Sequence, residues 1–298
     1  MTVTTLRIKA APGFRVDGSQ LQPAALAALS AADSAHLLLP AGNEVCAVGD
    51  LFDIARSQEN GAAAAHEASL IIEGDAHWLD RIGANLAEGR IHLTGNAGDY
   101  AALRMAAGTL QIDGNAGAFA GAEMSGGQLT VAGDCGDFAA GALPGDMEGM
   151  TGGLLAVQGN AGARLGDRMR RGSVLVAGNA GDFAATRMVA GTIGIAGRLG
   201  ANYAYGMRRG TLLLLHEPPR IPSTFAAGGR GYDVFWALFV RMLAAQRDTL
   251  TSAFGNAASF APFLTLAANA LPRRHAGDLA VDGRGELLIV SARGQAAN

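Results

Sequence analysis

Apolar residues alternate with other residues in short runs that recur through the middle of the chain, between residues 70 and 215. Alternation with a period of two predicts a short strand that buries one face. Glycine and asparagine follow several runs, as at Gly95-Asn96 and Gly178-Asn179, and predict a sharp turn. The apolar pairs are Ile91 and Leu93, Leu110 and Ile112, Leu129 and Val131, Leu155 and Val157, Val174 and Val176, and Ile193 and Ile195.

These strand-turn units repeat with a period of 19 residues and one interval of 26. The period is carried by two glycine positions and by a methionine position, Met105, Met124, Met150, Met169, Met188 and Met207. A repeat of this kind predicts a β-solenoid whose coils stack about 4.8 Å apart through parallel strands. We expect a right-handed parallel β-helix of about eight coils with a 19-residue repeat, from Leu70–Ile72 to Leu212–Leu214. A leucine-rich repeat is the rival fold, but its LxxLxLxxN pattern is missing.

Equivalent positions of successive coils should lie above one another. The six methionines would fill the bore of the solenoid, and so would an aromatic series at Tyr100, Phe119, Phe138 and Phe183. The longer interval places an insertion at about 143–148. Such an insertion emerges on one face, where it is either a contact site or a tolerated surface loop.

The flanking regions do not repeat. We predict a small α/β cap over residues 1–69, with strands at Thr4–Lys9 and Ala35–Leu39 and a helix at Pro23–Ser30. The β-helix would cover 70–215, and a C-terminal extension would cover 216–298, with a helix at 233–250 and a hairpin at 278–291. The predicted helix is apolar on most faces, which is typical of a helix buried from several sides.

The outward residue within each apolar pair changes along the rod. It is His92, Gln111 and Thr130 in early coils, and Ala156, Leu175, Gly194 and Leu213 in later coils. An apolar outer wall requires a cover. We expect either the 233–250 helix or a partner subunit to lie there.

Composition excludes several classes of protein. The chain has 298 residues, is 49% hydrophobic and 16% charged, and has a net charge of −3, which does not predict nucleic-acid binding. Its two cysteines exclude a disulfide scaffold and a thiolate zinc cluster. The first residues lack the apolar core of a secretory signal, and no apolar run is long enough to span a membrane. We therefore expect a cytoplasmic protein.

Charge is unevenly distributed along the repeat. Residues 71–163 hold 11 acidic residues and 3 arginines, whereas residues 164–215 hold 2 acidic residues and 8 arginines. Six arginines at related repeat positions should form a strip on one face: Arg168, Arg170, Arg171, Arg187, Arg208 and Arg209. Guanidinium groups match carboxylates in geometry, so the strip is a candidate site for a polyanionic ligand or an acidic partner. A solvated basic face is the alternative.

No catalytic or metal-ligating constellation is evident in the sequence. The six histidines lack ligand spacing, and there is no Walker lysine or GxSxG motif. Three hypotheses remain: a scaffold subunit of an enzyme complex, a coupling domain of an enzyme, and a binding solenoid for acidic polymers.

Three stretches resemble a known family: the GNAGDF/MxxG coils, the interrupted coil GALPGDMEGMTGG, and GNEVCAVGDLFDI near residue 43. They resemble the C subunit of formylmethanofuran dehydrogenase, most of all the version in the bacterial formyltransferase/hydrolase complex. The coils are also similar to the C-terminal β-helix domain of the large subunit of glutamate synthase. The proline-rich exit, the WALF helix and the RGELLIV tail separate this chain from that domain.

The resemblance implies a scaffold subunit without an active site of its own. Its complex would move a formyl group between a tetrahydropterin carrier and a methanofuran-type cofactor, and would release formate. The partners would be a formyltransferase subunit, an amidohydrolase-like subunit and a further subunit. No covalently bound cofactor is implied. The glutamate-rich tail of the furan cofactor would suit the arginine strip.

Overall fold

The computed structural model describes residues 2–58, 68–229 and 232–290. Strands dominate this part of the chain. Thirteen of them form one mixed sheet, flanked by two sheets of two strands each. The fold is therefore mainly β, with few helices and a central stack of parallel strands that resembles a β-helix.

The N-terminal residues form a mixed layer on the first strand of this stack. Its elements are β1 (Thr2–Ile8), β2 (Val16–Asp17), α1 (Pro23–Ala28), α2 (Ala31–Ala35), β3 (Leu38–Ala41), β4 (Glu44–Ala47), α3 (Val48–Leu51) and β5 (Phe52–Gln58). Strand β1 pairs in parallel with the first strand of the stack and antiparallel with β5. The buried side chains of Leu21, Leu26 and Phe52 join this layer to the main core.

Two details of the N-terminal prediction were wrong. The predicted helix at Pro23–Ser30 ends at Ala28, because Leu29 and Ser30 have extended backbone angles. The Ser30 hydroxyl accepts the Asp33 N–H at 3.0 Å and starts a second helix, α2, after the predicted range. The predicted strand at Ala35–Leu39 begins later, at Leu38, because Ala35 still belongs to α2. Residues 59–67 of the predicted cap lie outside the described residues.

The middle of the chain forms the strand ladder, defined as β6 and β8 to β14. Its strands pair in parallel, with Leu110 beside Leu129 and Ile193 beside Leu212. The partners of β10 and β11 lie further apart in the chain, as for Leu129 and Leu155, because of the insertion. The strands, with the separate β7, are β6 (Ser69–Glu73), β7 (Leu79–Asp80), β8 (Arg90–Leu93), β9 (Thr109–Ile112), β10 (Gln128–Val131), β11 (Leu154–Val157), β12 (Ser173–Val176), β13 (Thr192–Ile195) and β14 (Thr211–Leu214).

Stacking places equivalent side chains in columns inside the bore. All six methionines of the repeat are fully buried there, as predicted from the sequence. A second buried column contains the small residues Ala76, Ala97, Ala116, Cys135, Ala161 and Ala180 and continues to Leu199. The bore is thus a packed core that runs through the stack.

The turn after each strand explains the glycines. A Cβ atom on Gly197 would lie 2.5 Å from the carbonyl oxygen of Gly178 in the previous coil, so no larger residue fits at this spacing. Asparagine bridges the same turns, because the side-chain oxygen of Asn160 accepts the Asn179 N–H at 2.9 Å. The Gly-Asn pair therefore serves both close approach and hydrogen bonding between coils.

The aromatic series does not fill the bore, and that prediction was wrong. The rings of Tyr100, Phe119 and Phe138 stack with centroids 5.1 and 4.8 Å apart, but they are only half-buried. Each residue has φ near 60°, at a left-handed corner of the coil, and alanines and methionines already occupy the interior beside it. The Arg164 guanidinium lies between the rings of Phe138 and Phe183, 5.5 and 4.9 Å from their centroids.

The C-terminal segment covers the apolar outer wall. Of the two predicted covers, the 233–250 helix or a partner subunit, the structure shows the helical segment of this chain. Its elements are β15 (Ala226–Ala227), α4 (Asp233–Ala244), α5 (Arg247–Phe254), α6 (Ala261–Leu264), β16 (Arg273–Gly277) and β17 (Gly285–Ile289). Trp236, Phe239 and Phe263 form one buried cluster with Leu175 and Leu213 of the wall. A Cβ atom on Gly194 would lie 2.9 Å from the Phe263 ring, which explains a glycine on this face.

Two C-terminal elements differ from their predicted form. The helix at 233–250 is interrupted at 245–246, between α4 and α5. The hairpin is formed by β16 and β17, so its first strand precedes residue 278. Ala280 and Val281 lie in a short 3-10 helix instead, because the Asp278 carboxylate accepts the Ala280 N–H. Residue 291 lies outside the described residues.

Asp278 closes part of the last coil. In the preceding coil the Arg187 N–H donates to the Tyr205 carbonyl, and at the equivalent position above it the Gly206 N–H donates to the Asp278 carboxylate at 2.9 Å. Burial alone would raise the pKa of Asp278, but hydrogen bonds from Gly206, Thr224 and Ala280 outweigh it and lower the pKa. The Asp278 carboxylate thus accepts the hydrogen bond that the main-chain carbonyl of a following coil would otherwise accept.

Replacing a bore methionine should destabilise the protein strongly. We expect Met188→Ala to lower the free energy of unfolding by about 2–5 kcal/mol, because it leaves a cavity in a packed core. Met147→Ala is the matched control, since Met147 is 75% exposed and Met188 is 0% exposed. Urea unfolding followed by circular dichroism measures both. Equal stability of the two variants would contradict a packed bore.

Asp278→Asn should lower the free energy of unfolding at pH 7 by about 1–3 kcal/mol, because a buried hydrogen-bond acceptor is lost. The lowered pKa means that the carboxylate stabilises the wild type fully above its ordinary value of 3.8 and less as pH falls through the folded-state pKa. The difference between wild type and variant should therefore shrink on acidification. Chemical unfolding at several pH values measures it, with the exposed Asp282→Asn as control. A difference independent of pH would contradict this role.

Candidate functional site: the arginine strip and the C-terminal pocket

The predicted arginine strip lies on adjacent coils of the ladder. The Arg168 N–H donates to the Thr186 carbonyl, and the Arg208 N–H donates to the Met188 carbonyl, so the repeat carries these positions up one side of the rod. All six arginines are exposed or half-buried. The structure nevertheless divides them into two groups by what their guanidinium groups contact.

Three of the six arginines bind groups of this chain. Arg187 pairs with Asp167, whose side chain is only 4% exposed, and its Nε lies 3.0 Å from Asp167 Oδ1. Arg168 donates to the backbone carbonyl of Asp146, and Arg170 pairs with Glu148. These three guanidinium groups are therefore not free to bind a ligand unless these contacts break.

The same contacts explain the insertion at 143–148. Asp146 also accepts from Arg104 at 3.0 Å, and Arg104 in turn binds Glu123 at 2.6 Å. The insertion thus folds against the wall of the rod and is fastened by arginines from coils on both sides. The sequence held a partial signal for such pairs, because Glu148 precedes Arg170 by 22 positions and Asp167 precedes Arg187 by 20, which is close to one coil.

The other three arginines of the strip remain available. Arg171, Arg208 and Arg209 are exposed, and within the described ranges their side chains have no hydrogen-bond or ion-pair partner. Arg284, which was not predicted from the sequence, lies beside them. Its main-chain N–H donates to the main-chain carbonyl of Arg208 at 2.6 Å. Together these residues form a basic surface that is suited to carboxylates.

Titratable side chains elsewhere do not converge on a reaction centre. No group of three histidine, cysteine or acidic residues could hold a metal ion in the part of the chain that the structure describes. His77 pairs with Asp75 at 3.0 Å and His92 with Asp113 at 2.8 Å, both at the surface. Burial raises the pKa of Cys135 to about 12, so its thiol stays protonated.

The structure also contains a pocket that the sequence analysis missed. Its volume is about 480 Å³, and it lies between the last coil, residues 199–205, and the proline-rich exit segment, residues 219–225. The Tyr203 hydroxyl donates to the Arg220 carbonyl at 2.6 Å and ties the two sides together. Burial raises the pKa of Tyr203 to about 12, so the hydroxyl remains a donor. The prolines had signalled only the end of the repeat.

None of the helices among the described residues is both long enough and apolar enough to cross a membrane.

Comparison with known proteins identifies the repeat. A family model described as the GXGXG motif matches residues 80–226. The C subunit of the formyltransferase/hydrolase complex Fhc of Methylorubrum extorquens is 39% identical over 96 residues, which is 32% of this chain and 33% of that protein. The C subunit of the tungsten-containing formylmethanofuran dehydrogenase 2 of Methanothermobacter thermautotrophicus is 31% identical over 100 residues, 34% of this chain and 36% of that protein. The matched stretches thus span about a third of these curated relatives.

A solved structure matches over almost the whole length. It is the crystal structure of the formyltransferase/hydrolase complex FhcABCD from Methylorubrum extorquens in complex with methylofuran. The identity is 39%, the TM-score is 0.79, and the match covers 96% of this chain and 98% of the other. This chain therefore belongs to the family of the formylmethanofuran dehydrogenase C subunit, which includes the C subunit of the formyltransferase/hydrolase complex.

Proposed function

We propose that this chain is the C subunit of a formyltransferase/hydrolase complex and serves as its scaffold. The complex would transfer a formyl group from formyl-tetrahydromethanopterin to a methanofuran-type cofactor and release formate, as a step in formaldehyde oxidation. The observation that carries the proposal is the match at 39% identity over 98% of a chain of the FhcABCD complex.

A scaffold role suits the physical properties of the rod. Its bore is filled by fully buried side chains, so the column is a stiff, packed core. The basic surface and the C-terminal pocket lie on the outside, where other subunits would contact them. The chemistry would belong to a formyltransferase subunit and an amidohydrolase-like subunit, and a further subunit would complete the complex in the cytoplasm.

The proposal includes a finer description of the fold. The strand ladder would be a right-handed parallel β-helix of about eight coils with a 19-residue repeat. Residues 1–69 would cap it, and residues 216–298 would form the C-terminal extension. The parallel registers between β8 and β14 support this description.

The arginine strip would contact the glutamate tail of the furan cofactor or an acidic partner. Three arginines would bind it directly, namely Arg171, Arg208 and Arg209, since their side chains are exposed and unpaired among the described residues. Arg168, Arg170 and Arg187 would shape the surface through the insertion and Asp167.

A second candidate is the C subunit of a redox-active formylmethanofuran dehydrogenase. The 31% identity to the C subunit of the tungsten-containing enzyme of Methanothermobacter thermautotrophicus favours it. Metal analysis of the purified complex separates the two candidates, because only the redox complex would contain tungsten. A glutamate-synthase-like coupling module, the third possibility, would instead co-purify with an amidotransferase or flavin subunit.

Assembly tests the proposed function. When tagged at its natural level in cells, the chain should be recovered with three larger partners by native mass spectrometry, and the isolated chain should release no formate from formyl-methanofuran. The same partners purified without this chain are the control, and they should assemble less completely. Recovery of the tagged chain as a lone monomer would contradict the proposal.

The arginine strip gives a separate prediction. Arg208→Ser with Arg209→Ser should weaken binding of synthetic hexaglutamate about 5- to 30-fold at low salt, because two charge-assisted contacts of about 0.5–1 kcal/mol each are lost. Arg198→Ser with Arg241→Ser is the matched control, since both residues are exposed and the change in charge is equal. Fluorescence anisotropy of a labelled peptide measures the affinity. Equal weakening in both variants would mean that only net charge matters.

A further inference from the structure

The last coil leaves part of its main chain unpaired at the floor of the C-terminal pocket. In the coil below, the Ala180 N–H donates to the Arg198 carbonyl at 3.0 Å and the Phe183 N–H donates to the Ala201 carbonyl at 2.8 Å. The equivalent groups of the last coil are the N–H groups of Leu199 and Asn202. Neither has a partner among residues 2–58, 68–229 and 232–290.

A carbonyl at the same corner is also open. The Ala180 carbonyl accepts the Gly200 N–H at 2.9 Å, whereas the equivalent Leu199 carbonyl accepts nothing within the described chain. The floor of the pocket therefore presents two donors and one acceptor in the arrangement by which each lower coil binds the next one. Unpaired edges of this kind are normally covered in folded proteins.

Elsewhere the same end of the rod is closed by main chain or by a substitute for it. Strand β17 pairs in parallel with β14, so that Leu287 lies beside Leu212. The Arg284 N–H donates to the Arg208 carbonyl, and Asp278 accepts the Gly206 N–H. The corner at Leu199 and Asn202 is a part of this end that the described residues leave open.

A further coil of the same repeat would lack two of the usual hydrogen bonds at this corner. Lower coils are joined by side chains as well, since Asn179 Oδ1 accepts the Arg198 N–H and Asp182 Oδ1 accepts the Ala201 N–H, both at 2.7 Å. Arg198 and Ala201 offer no such oxygen to a following coil. At Leu199 and Asn202 the occupant therefore pairs through main-chain groups, without the side-chain oxygens that join the lower coils.

The walls of the pocket define the occupant further. Tyr203 and Phe225 supply apolar surface, and Tyr205 is 65% exposed at the rim, which is typical of an interface aromatic. Arg220 lines the pocket and is exposed, and its side chain has no partner within the described residues. A volume of about 480 Å³ is within the usual range for ligand sites.

We propose that the C-terminal pocket binds an acidic polypeptide segment of a partner subunit, whose main chain pairs with the main chain of Leu199 and Asn202. As in β-augmentation, main-chain hydrogen bonds would supply affinity and side-chain pockets specificity, although the open groups lie at an isolated bridge and a left-handed turn residue. One carboxylate of the segment pairs with Arg220. The inference rests on the proposed function, because it requires a partner subunit.

Cross-linking in the assembled complex tests the inference. The full chain carries a photoreactive benzoyl-phenylalanine in place of Tyr205 and is isolated with its partners, and the control carries it in place of Phe14, which is 52% exposed in the N-terminal layer. Cross-links from position 205 to neighbouring residues of one partner segment support the proposal. An assembled complex without such cross-links overturns it and leaves the proposed function standing, whereas failure of the position-14 control chain to assemble overturns both.

A substitution that fills the pocket gives the energetic test. Ala201→Trp should weaken binding of the partner subunits about tenfold or more, which is about 1.4 kcal/mol, as measured by surface plasmon resonance. Ala163→Trp is the matched control, because Ala163 holds the equivalent position two coils earlier, where a following coil is already present. Circular dichroism confirms that both variants fold. Equal affinity of the two variants overturns the proposal.

Discussion

Hydrogen bonding between parallel strands of successive coils is the constraint on which the rest of the molecule depends. Once Ile193 lies beside Leu212, the remaining residues of the two coils also lie above their equivalents. Columns of identical residues then become possible, such as the buried methionines and the small residues that end in Ala180. The same spacing forces glycine at positions such as Gly197, where a side chain would strike the coil below.

This constraint explains both what the sequence revealed and what it hid. A regular period predicts which residues stack, and this was enough to predict the strands, the methionine column and the covered apolar wall. It does not tell which side of the backbone a column occupies. Tyr100 and Phe119 were therefore placed in the bore, whereas they stack half-buried outside it and alanines and methionines fill the interior.

The arginine strip shows that the same period predicts where side chains lie but not which of them are free to bind a ligand. Its periodic positions could be read from the sequence, but the number of free guanidinium groups depends on contacts across coils. Asp167 neutralises Arg187, and the insertion binds Arg168 and Arg170, so the exposed charge is concentrated nearer the C-terminal end. The pocket at that end had no sequence signal beyond its prolines, because it arises where the stack stops.

Distances between coils test the stacking most directly. Spin labels are attached to cysteines replacing Arg198 and, in turn, Asp75, Asn96 and Asn115, in a chain that also carries Cys46→Ser. Asp75, Asn96 and Asn115 lie on three successive coils of one polar column, and Arg198 lies four coils beyond Asn115. Pulsed electron–electron double resonance should give distances near 29, 24 and 19 Å, falling by about 4.8 Å per coil. Distances that do not fall in equal steps of this size would contradict the stacked ladder.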